Sequence, residues 1–515
     1  MKRAVWILAG FALGVATAHA RDTAFYDRAF EQTMARYHLP GLAVGVIEDG
    51  KVVYLRTGGE TVAGSGRKIT PRTLFKIASN SKAMTAATLA RLVEAGKLAW
   101  DDPVVKHLPT FRMHDEWVGR NMTVRDLLIH NSGLPEGAGD LMLWPEPNAF
   151  TRADIVAGLS HLKPKYGFRA GYAYDNLLYV VAGEVAAAAG GASYEELVRR
   201  EVFAPLGLGC RVGEWKREAA DDLAQPHMRK DGRNVVLNGD DAMVPAITSA
   251  AAGGIRCSLE DMLAWARNWL VPDEKQRQWL PDAQRRALWT AYTPMPISER
   301  RRTRDRTHFF AYGLGFRLAD VDGEWSVSHT GTLSGMYSMM SLLPDRRSGF
   351  VLMINGDGGA ARGVLGEVLL KHFTAPQRKL GVAALADEQA REAAAKPAAR
   401  RLPDTSARVA ATPDSMRARL GVWRDAWFGR VSLCAADGGV RFAAEKSPRM
   451  TGKVMRVGAR ELVQWDDAGV DPEAWLDFPY AQSMTMAKVD PDGDFSSDYE
   501  DLAFVREGDC AGEGR

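Results

Sequence analysis

The feature that most constrains the fold is a set of strand patterns split between two distant parts of the chain. Residues 42–47 and 52–55 look like strands on either side of Asp49-Gly50, a dipeptide that favours a hairpin turn. After a long mixed region rich in helical patterns, strand patterns return at residues 312–318, 325–329, 336–343 and 349–354. Helices are predicted outside both sets, at residues 25–37 and 360–373. This order predicts an α+β fold, with an antiparallel sheet flanked by helices and an inserted helical lobe.

A smaller second domain is predicted beyond this region, since 515 residues exceed one typical domain. Residues 377–413 are rich in Ala and charged residues, which predicts a linker that is partly helical and partly extended. Residues 414–515 contain short alternating strands and turns, typical of an all-β domain, either a barrel or a sandwich. The main domain is therefore placed at residues 21–376.

The N-terminus has the pattern of a secretory signal peptide at residues 1–20. Lys2 and Arg3 precede an apolar run at residues 4–16, and Ala18-His19-Ala20 matches a cleavage site. The alternative is an uncleaved membrane anchor, for which the run is short. We expect a periplasmic or secreted protein that keeps no stable membrane anchor after cleavage.

Four cysteines in an exported chain permit disulfides without requiring them. Pairing within each region, Cys210 with Cys257 and Cys434 with Cys510, is the simplest arrangement, and buried free thiols are the alternative. The formal net charge is +2, with Lys and Arg spread along the chain, which argues against a nucleic-acid partner.

No cofactor or metal is predicted, because the chain has no His-Glu-x-x-His pattern. Residues 490–501 carry acidic side chains at a spacing similar to that of a calcium loop, but Phe495 stands where such a loop requires Gly. A solvated acidic turn is the favoured interpretation.

The candidate nucleophile is Ser79, in the segment Ser79-Asn80-Ser81-Lys82 at a predicted helix start. A Ser and a Lys three positions apart share one helix face, so that the amine of Lys82 can reach the hydroxyl. Ser65 with Lys68 and Ser160 with Lys163 have the same spacing, so the pattern alone is weak. A Ser-His-Asp hydrolase is disfavoured because no Gly-x-Ser-x-Gly sequence occurs.

Two further motifs follow in the chain. Tyr174-Asp175-Asn176 precedes an apolar helix, and His329-Thr330-Gly331 ends a predicted strand. The segment His130-Asn131-Ser132-Gly133-Leu134-Pro135 is a fourth sign. Their order after Ser79 is far more specific than any single motif.

With these motifs, residues 25–373 resemble the penicillin-recognising serine hydrolases, the β-lactamase and transpeptidase-like superfamily. That superfamily includes class C β-lactamases, DD-peptidases, D-aminopeptidases and esterases. The C-terminal residues are similar to a β domain that follows the hydrolase in many such proteins. The resemblance implies catalytic roles for Ser79, Lys82 and Tyr174. It also implies substrate binding by Asn176 on the helical lobe and by His329, Thr330 and Gly331 on a facing edge strand.

The physical chemistry is compatible with those roles. The amides of Ser79 and Thr332 are expected to form an oxyanion hole. Lys82 acts as a base only when neutral, so its pKa must fall from about 10.4 to near 7, a shift that burial and a neighbouring cation can supply. Lys82 and Tyr174 are expected to titrate as a coupled pair, so neither alone is assigned as the base.

His329 narrows the range of substrates expected for this chain. Related β-lactamases and DD-peptidases usually carry Lys there as a fixed charge for the substrate carboxylate, whereas His is mostly neutral at pH 7. The sequence therefore favours a peptidase or esterase that forms an acyl-enzyme, with a β-lactamase or DD-peptidase as the alternative. Two further hypotheses remain: a penicillin-binding-like sensor with little turnover, and a C-terminal domain that caps the cleft or builds a homo-oligomer.

Overall fold

The computed structural model describes residues 23–218, 221–395 and 402–510. The predicted signal peptide lies outside these residues. The N-terminal domain contains strands of very different length: β1 (Gly41–Glu48), β2 (Lys51–Gly59), β3 (Phe75–Lys76), β4 (Trp215–Lys216), β5 (His227–Lys230), β6 (Arg233–Val236), β7 (Met243–Val244), β8 (Arg256–Cys257), β9 (Thr293–Pro294), β10 (Phe310–Tyr312), β11 (Arg317–Val321), β12 (Glu324–Leu333), β13 (Met336–Leu343) and β14 (Ser348–Ile354).

The helices of this domain and of the following segment are α1 (Ala24–Arg36), α2 (Ser81–Glu94), α3 (Val104–His107), α4 (Glu116–Asn121), α5 (Arg152–Gly158), α6 (Leu177–Gly190), α7 (Tyr194–Val198), α8 (Ala204–Leu206), α9 (Ala250–Gly253), α10 (Leu259–Leu270), α11 (Glu274–Trp279), α12 (Asp282–Leu288), α13 (Glu299–Arg304), α14 (Gly359–Thr374) and α15 (Val382–Ala394). Among the described residues, no single helix is long and apolar enough to cross a membrane, although α6 together with the bent segment Tyr194–Leu206 meets that criterion.

The main sheet is antiparallel and joins the two ends of the domain, as predicted. Within the described residues it has eight strands in the order β2-β1-β14-β13-β12-β11-β10-β9. β1 lies between β2 and β14, with Val44 opposite both Arg56 and Leu352. Its sequence is apolar on both faces because both faces are covered. Leu42, Val44 and Val46 pack toward α1 and α14, while Gly45 lies against Leu263 of α10.

One predicted strand is wrong. Residues 312–318 form the turn between β10 and β11 rather than one strand, with Tyr312 opposite Arg317. Gly315 has a φ of +79°, a left-handed conformation that glycine adopts without strain. The chain therefore reverses direction at a point where the apolar residues alone favoured a continuous strand.

The segment after α14 is not a free linker throughout. Helix α15 buries Val382, Leu385 and Ala386 in the cluster that also contains α1 and α14 residues. Residues 396–401, within the predicted linker, lie outside the described chain.

The C-terminal domain is a closed antiparallel β-barrel, which decides between the two predicted all-β forms. Residues 402–510 contain β15 (Val409–Ala410), α16 (Pro413–Met416), β16 (Gly421–Asp425), β17 (Gly429–Ala436), β18 (Gly439–Ala444), β19 (Thr451–Val457), β20 (Arg460–Trp465), β21 (Ala474–Tyr480), β22 (Ser483–Lys488) and β23 (Ala503–Gly508). Pairing of β19 with β20 closes the eight strands β16–β23, and β15 adds to β19 outside the closure.

Both simplest cysteine pairings are confirmed. Cys210 is bonded to Cys257 and Cys434 to Cys510, with Cα–Cα distances of 4.3 and 5.9 Å. Each disulfide lies within one domain, so the contact between the domains is noncovalent.

Candidate active site

Ser79 lies on a tight turn that leads directly into α2. After β3 the chain forms a 3₁₀ turn at Ala78–Asn80, and α2 begins at Ser81 rather than at Ser79. Ala78 has a φ of +49°, a left-handed conformation that is costly for a residue with a Cβ. The turn is held from β13, because Ser338 Oγ donates to the carbonyl of Ile77 and accepts from Asn80 Nδ2, both at 2.7 Å.

Strand β12 approaches this turn so closely that only glycine fits at position 331. A Cβ on Gly331 would lie 2.1 Å from the Ile77 carbonyl oxygen, 2.3 Å from Ser338 Oγ and 3.0 Å from Ala78 Cβ. The glycine of the His329-Thr330-Gly331 motif thus brings β12 against the turn of the candidate nucleophile.

Lys82 is buried against Ser79. Its Nζ lies 3.2 Å from Ser79 Oγ, 2.7 Å from Asn176 Oδ1 and 2.9 Å from the Ala252 carbonyl oxygen. The side chain is completely buried. Burial lowers the pKa of Lys82 to about 7; Asp140 opposes this shift and the Arg317 guanidinium adds to it. A substantial neutral fraction at neutral pH makes this amine able to accept a proton.

Tyr174 lies beside both Ser79 and Lys82. The Lys82 Nζ is 4.8 Å from the centre of the Tyr174 ring, and the ring also packs against His130, with centroids 4.2 Å apart. Burial raises the pKa of Tyr174 above its ordinary value, while Arg317 and a hydrogen bond with Ser79 act against that shift. The phenol is therefore neutral at neutral pH, and Lys82 is the member of the pair that titrates there.

Asn176 connects Lys82 to a buried carboxylate. It stands just before α6, accepts from Lys82 through Oδ1, and donates through Nδ2 to Asp140 Oδ2 at 2.7 Å. Both hydrogen-bonding ends of the amide are thus used within the protein.

β12 is an edge strand in its second half, the part that carries His329-Thr330-Gly331, as the resemblance implied. Its pairing with β11 ends at Ser328, whereas its pairing with β13 continues to Leu333. From His329 onward, one side of β12 is therefore open toward the cleft. Since side chains alternate along a strand, Thr330 and Thr332 line the cleft, and His329 and Gly331 point away from it.

The ring of His329 lies beneath the cleft rather than in it. The side chain is fully buried, and its Nε2 lies 2.8 Å from the Tyr312 hydroxyl. Burial, together with Arg317 and Lys82, holds the pKa of His329 well below its ordinary value. A direct contact between this ring and a substrate carboxylate, considered from the sequence, does not fit this position.

Arg317 supplies the positive charge at the open edge and was missed in the sequence. Its guanidinium lines the cleft and donates through Nη1 to Thr330 Oγ1 at 2.7 Å. Arg317 begins β11, directly after the turn that interrupts the predicted strand at residues 312–318. Gly313 and Gly315 were the sequence signal that could have indicated this turn. Lys76 is a second missed cation: it lines the same cleft, and burial lowers its pKa.

The cleft has a volume of about 520 Å³ and is lined by both domains. The amides proposed for the oxyanion hole belong to Ser79 and Thr332, both of which line it. The C-terminal domain contributes residues 492–497, and Phe495 meets the Tyr174 ring edge-on with centroids 5.8 Å apart.

The acidic turn at residues 490–501 is part of this wall. Asp490 and Asp494 accept hydrogen bonds from backbone amides of their own turn, at Asp492 and Ser496. Asp498 is buried rather than solvated. Across the described ranges, no group of three or more His, Cys, Asp or Glu side chains is arranged to hold a metal ion.

Residues 26–375 match the sequence model of the Beta-lactamase family, a match that covers more than half of the chain. The chain belongs to the β-lactamase family. This is a family of serine hydrolases, and the resemblance found from the sequence motifs is confirmed.

Two curated relatives illustrate the range of the family. The chain is 28% identical over 369 residues to an unguisins hydrolase of Aspergillus campestris, covering 68% of this chain and 64% of that protein. It is 27% identical over 390 residues to penicillin-binding protein 4 of Amycolatopsis lactamdurans, covering 73% and 99%. The chain thus spans just under two thirds of the first relative and nearly all of the second.

Two solved structures of similar fold cover different shares of this chain. An octameric penicillin-binding protein homologue from Pyrococcus abyssi is 20% identical, with a TM-score of 0.58 over 94% of this chain and 100% of that chain. A D-stereospecific amidohydrolase from a Streptomyces species is 22% identical, with a TM-score of 0.53 over 65% and 95%. At these identities the likeness concerns the fold.

Proposed function

We propose that this chain is an exported serine hydrolase that cleaves a peptide-like amide or an ester through an acyl-enzyme on Ser79. The observation that carries the proposal is the fully buried Lys82, whose Nζ lies 3.2 Å from Ser79 Oγ and whose pKa is lowered to about 7. A buried amine with a lowered pKa, within hydrogen-bond reach of a serine hydroxyl that lines a cleft, is an arrangement typical of functional sites.

The first half-reaction forms the acyl-enzyme. Ser79 Oγ attacks the substrate carbonyl carbon while its proton moves to neutral Lys82 Nζ. The resulting oxyanion accepts hydrogen bonds from the amides of Ser79 and Thr332. The bond to the leaving group then breaks, and the neutral phenol of Tyr174 passes a proton to the departing nitrogen or oxygen while Lys82 restores the proton of the phenol.

The second half-reaction releases the acid. A water molecule attacks the acyl carbonyl and gives its proton to Lys82. The ester bond to Ser79 breaks, and that proton returns to Ser79 Oγ. Asn176 holds Lys82 through Oδ1 during both halves, since Lys82 Nζ lies 2.7 Å from this oxygen.

The substrate class is supported by the chemistry of the cleft. An amide or ester of moderate size suits a cavity of about 520 Å³ that carries Arg317 beside the open edge of β12. One relative is named for the hydrolysis of unguisins, which is compatible with a hydrolase of this kind. We place D-amino-acid peptidase and esterase activity first.

A β-lactamase or DD-peptidase is the second candidate, and one observation favours it. The weak charge of His329 disfavours this candidate, but the guanidinium of Arg317 is a fixed cation at the same strand edge. A penicillin-binding-like sensor is the third candidate, and it differs from the others because it would show little turnover.

The test compares three probes: p-nitrophenyl butyrate, a D-alanine p-nitroanilide and benzylpenicillin. Wild type is expected to turn over the ester or the anilide, and Ser79→Ala is expected to lose that activity. Ser65→Ala is the matched control, because it has the same spacing to a lysine while Lys68 is paired with Glu60 at 3.0 Å on the surface. Rapid penicillin turnover would favour a β-lactamase, and a lasting adduct a DD-peptidase or sensor. Equal activity in wild type and Ser79→Ala would exclude Ser79 as the nucleophile.

Export to the periplasm or the medium remains part of the proposal. The two disulfides support an oxidising compartment. Cell fractionation with an antibody against the protein tests it, and a cytoplasmic protein of full mass would contradict it. The penicillin-binding protein homologue from Pyrococcus abyssi is octameric, so a homo-oligomer is a further hypothesis, which light scattering of the purified protein tests.

A further inference from the structure

A continuous chain of hydrogen bonds runs from the C-terminal barrel to the candidate nucleophile. Ser496 Oγ donates to Asp140 Oδ2 at 2.7 Å, and Asn176 Nδ2 donates to the same oxygen at 2.7 Å. Asn176 Oδ1 lies 2.7 Å from Lys82 Nζ, which lies 3.2 Å from Ser79 Oγ. Ser496 and Asp140 are 356 residues apart in sequence.

A second contact fixes the same segment of the main domain. The carboxylate of Asp498 accepts hydrogen bonds from the amides of Gly139 at 2.6 Å and Leu141 at 3.1 Å, the two neighbours of Asp140. Asp140 is fully buried and Asp498 is 5% exposed. The barrel therefore binds the backbone on both sides of Asp140 through Asp498, and it donates a hydrogen bond to the Asp140 side chain through Ser496.

We propose that Ser496 is a positioning residue for the catalytic lysine, acting through Asp140 and Asn176. The docked barrel thereby completes the site to which the main domain supplies the reacting groups. This inference rests on the proposed function, because it assigns a role to Lys82 as the base.

The charges around Asp140 determine the expected direction of the effect. Burial raises the pKa of Asp140 well above its ordinary value, and the nearby Asp175 acts in the same direction. The hydrogen bonds from Ser496 and Asn176 oppose that shift, because they favour the ionised carboxylate. Loss of the Ser496 donor therefore moves Asp140 toward its neutral form.

The protonation state of Asp140 affects the pKa of Lys82 directly. Asp140 and Asp175 both raise the pKa of Lys82, and Arg317 lowers it. Besides its bonds to Ser79 and Asn176, Nζ faces the rings of Tyr174 and Tyr179. Burial holds the pKa values of the nearby His130 and His329 well below the ordinary value. A less ionised Asp140 leaves Lys82 with a lower pKa.

The test is the pH dependence of kcat/KM with p-nitrophenyl butyrate or whichever probe wild type turns over. In Ser496→Ala the acidic limb is expected to move down by about 0.5 pH unit, with kcat reduced about tenfold because Lys82 is less well oriented. Asp140→Asn is expected to move the limb in the same direction and further. Ser496→Thr, which keeps a hydroxyl, is expected to restore the wild-type profile.

The double variant Ser496→Ala with Asp140→Asn decides whether Ser496 acts through Asp140. It is expected to show the limb of Asp140→Asn without a further shift. Ser483→Ala removes a hydroxyl elsewhere in the barrel, where Ser483 Oγ accepts from the Tyr480 amide, and is expected to leave the profile unchanged.

Three results would overturn the inference: an unchanged limb in Ser496→Ala, a limb that moves up, or additive shifts in the double variant. Failure of the proposed function is distinguishable from these results. In that case wild type itself has no Ser79-dependent turnover and no profile to compare.

Discussion

The close approach of Gly331 to the nucleophile turn predicts a large effect from one methyl group. In Gly331→Ala the new Cβ would lie 2.1 Å from the Ile77 carbonyl oxygen, whereas real Cβ contacts are essentially never below 3.0 Å. β12 and the turn must therefore separate by at least 0.9 Å, the difference between these distances. The nearby Ser338 hydroxyl offers little relief, because it already bonds to both Ile77 and Asn80.

This displacement separates the two amides proposed for the oxyanion hole, since Ser79 lies on the turn and Thr332 on the strand. A misplacement of about 1 Å at reacting groups costs roughly 100-fold in rate, which corresponds to about 2.7 kcal/mol of barrier. We expect kcat/KM to fall about 100-fold in Gly331→Ala, while overpacking destabilises the fold by about 1–3 kcal/mol.

Steady-state kinetics and thermal unfolding are measured on the same preparations. Gly363→Ala is the matched control, because a Cβ on Gly363 in α14 meets nothing within 4 Å. It is expected to keep wild-type kinetics and to gain up to about 1 kcal/mol of stability. Wild-type kcat/KM in a folded Gly331→Ala protein would refute the proposed contact between β12 and the turn.

Three further predictions concern charge and covalent links. Because Lys82 must lose its proton to act as a base and its pKa is about 7, kcat/KM is expected to fall as pH decreases through about 7, and a profile flat from about pH 5 to 9 would contradict this. Arg317→Met removes a cation that lowers the pKa of Lys82, so a pH profile should show the acidic limb at higher pH, with a raised KM for substrates that carry a carboxylate. Replacing both Cys210 and Cys257 by Ser opens a link between residues 47 apart, and urea unfolding is expected to show a loss of about 4 kcal/mol in the free energy of unfolding; an unchanged midpoint would contradict this.

Local patterns were sufficient to predict the sheet, its flanking helices and the juxtaposition of Ser79 and Lys82. A spacing of three residues fixes one face of a helical turn wherever the turn lies in the fold. Tyr174 and Asn176 were placed by the order of their motifs, and the structure brings both next to Lys82.

The orientation of side chains on β12 required the register of the sheet. His329 and Thr330 are adjacent, so only one of them faces the cleft, and the sequence does not say which. Arg317 was missed because the residues around Gly313 and Gly315 look like one continuous strand, so the turn that places Arg317 at the cleft was not predicted. The contact between Ser496 and Asp140 depends on how two domains dock, and no local pattern contains that information.

Trapping the acyl-enzyme tests directly whether Ser79 is the nucleophile. Wild type is mixed with p-nitrophenyl butyrate, quenched in acid during the first turnover, and digested with trypsin. One butyryl group is expected on the peptide at residues 77–82, with fragment ions that assign it to Ser79 rather than Ser81, and no such adduct is expected in Ser79→Ala. A butyryl group on any other residue, or turnover without a covalent adduct in wild type, would contradict this role of Ser79.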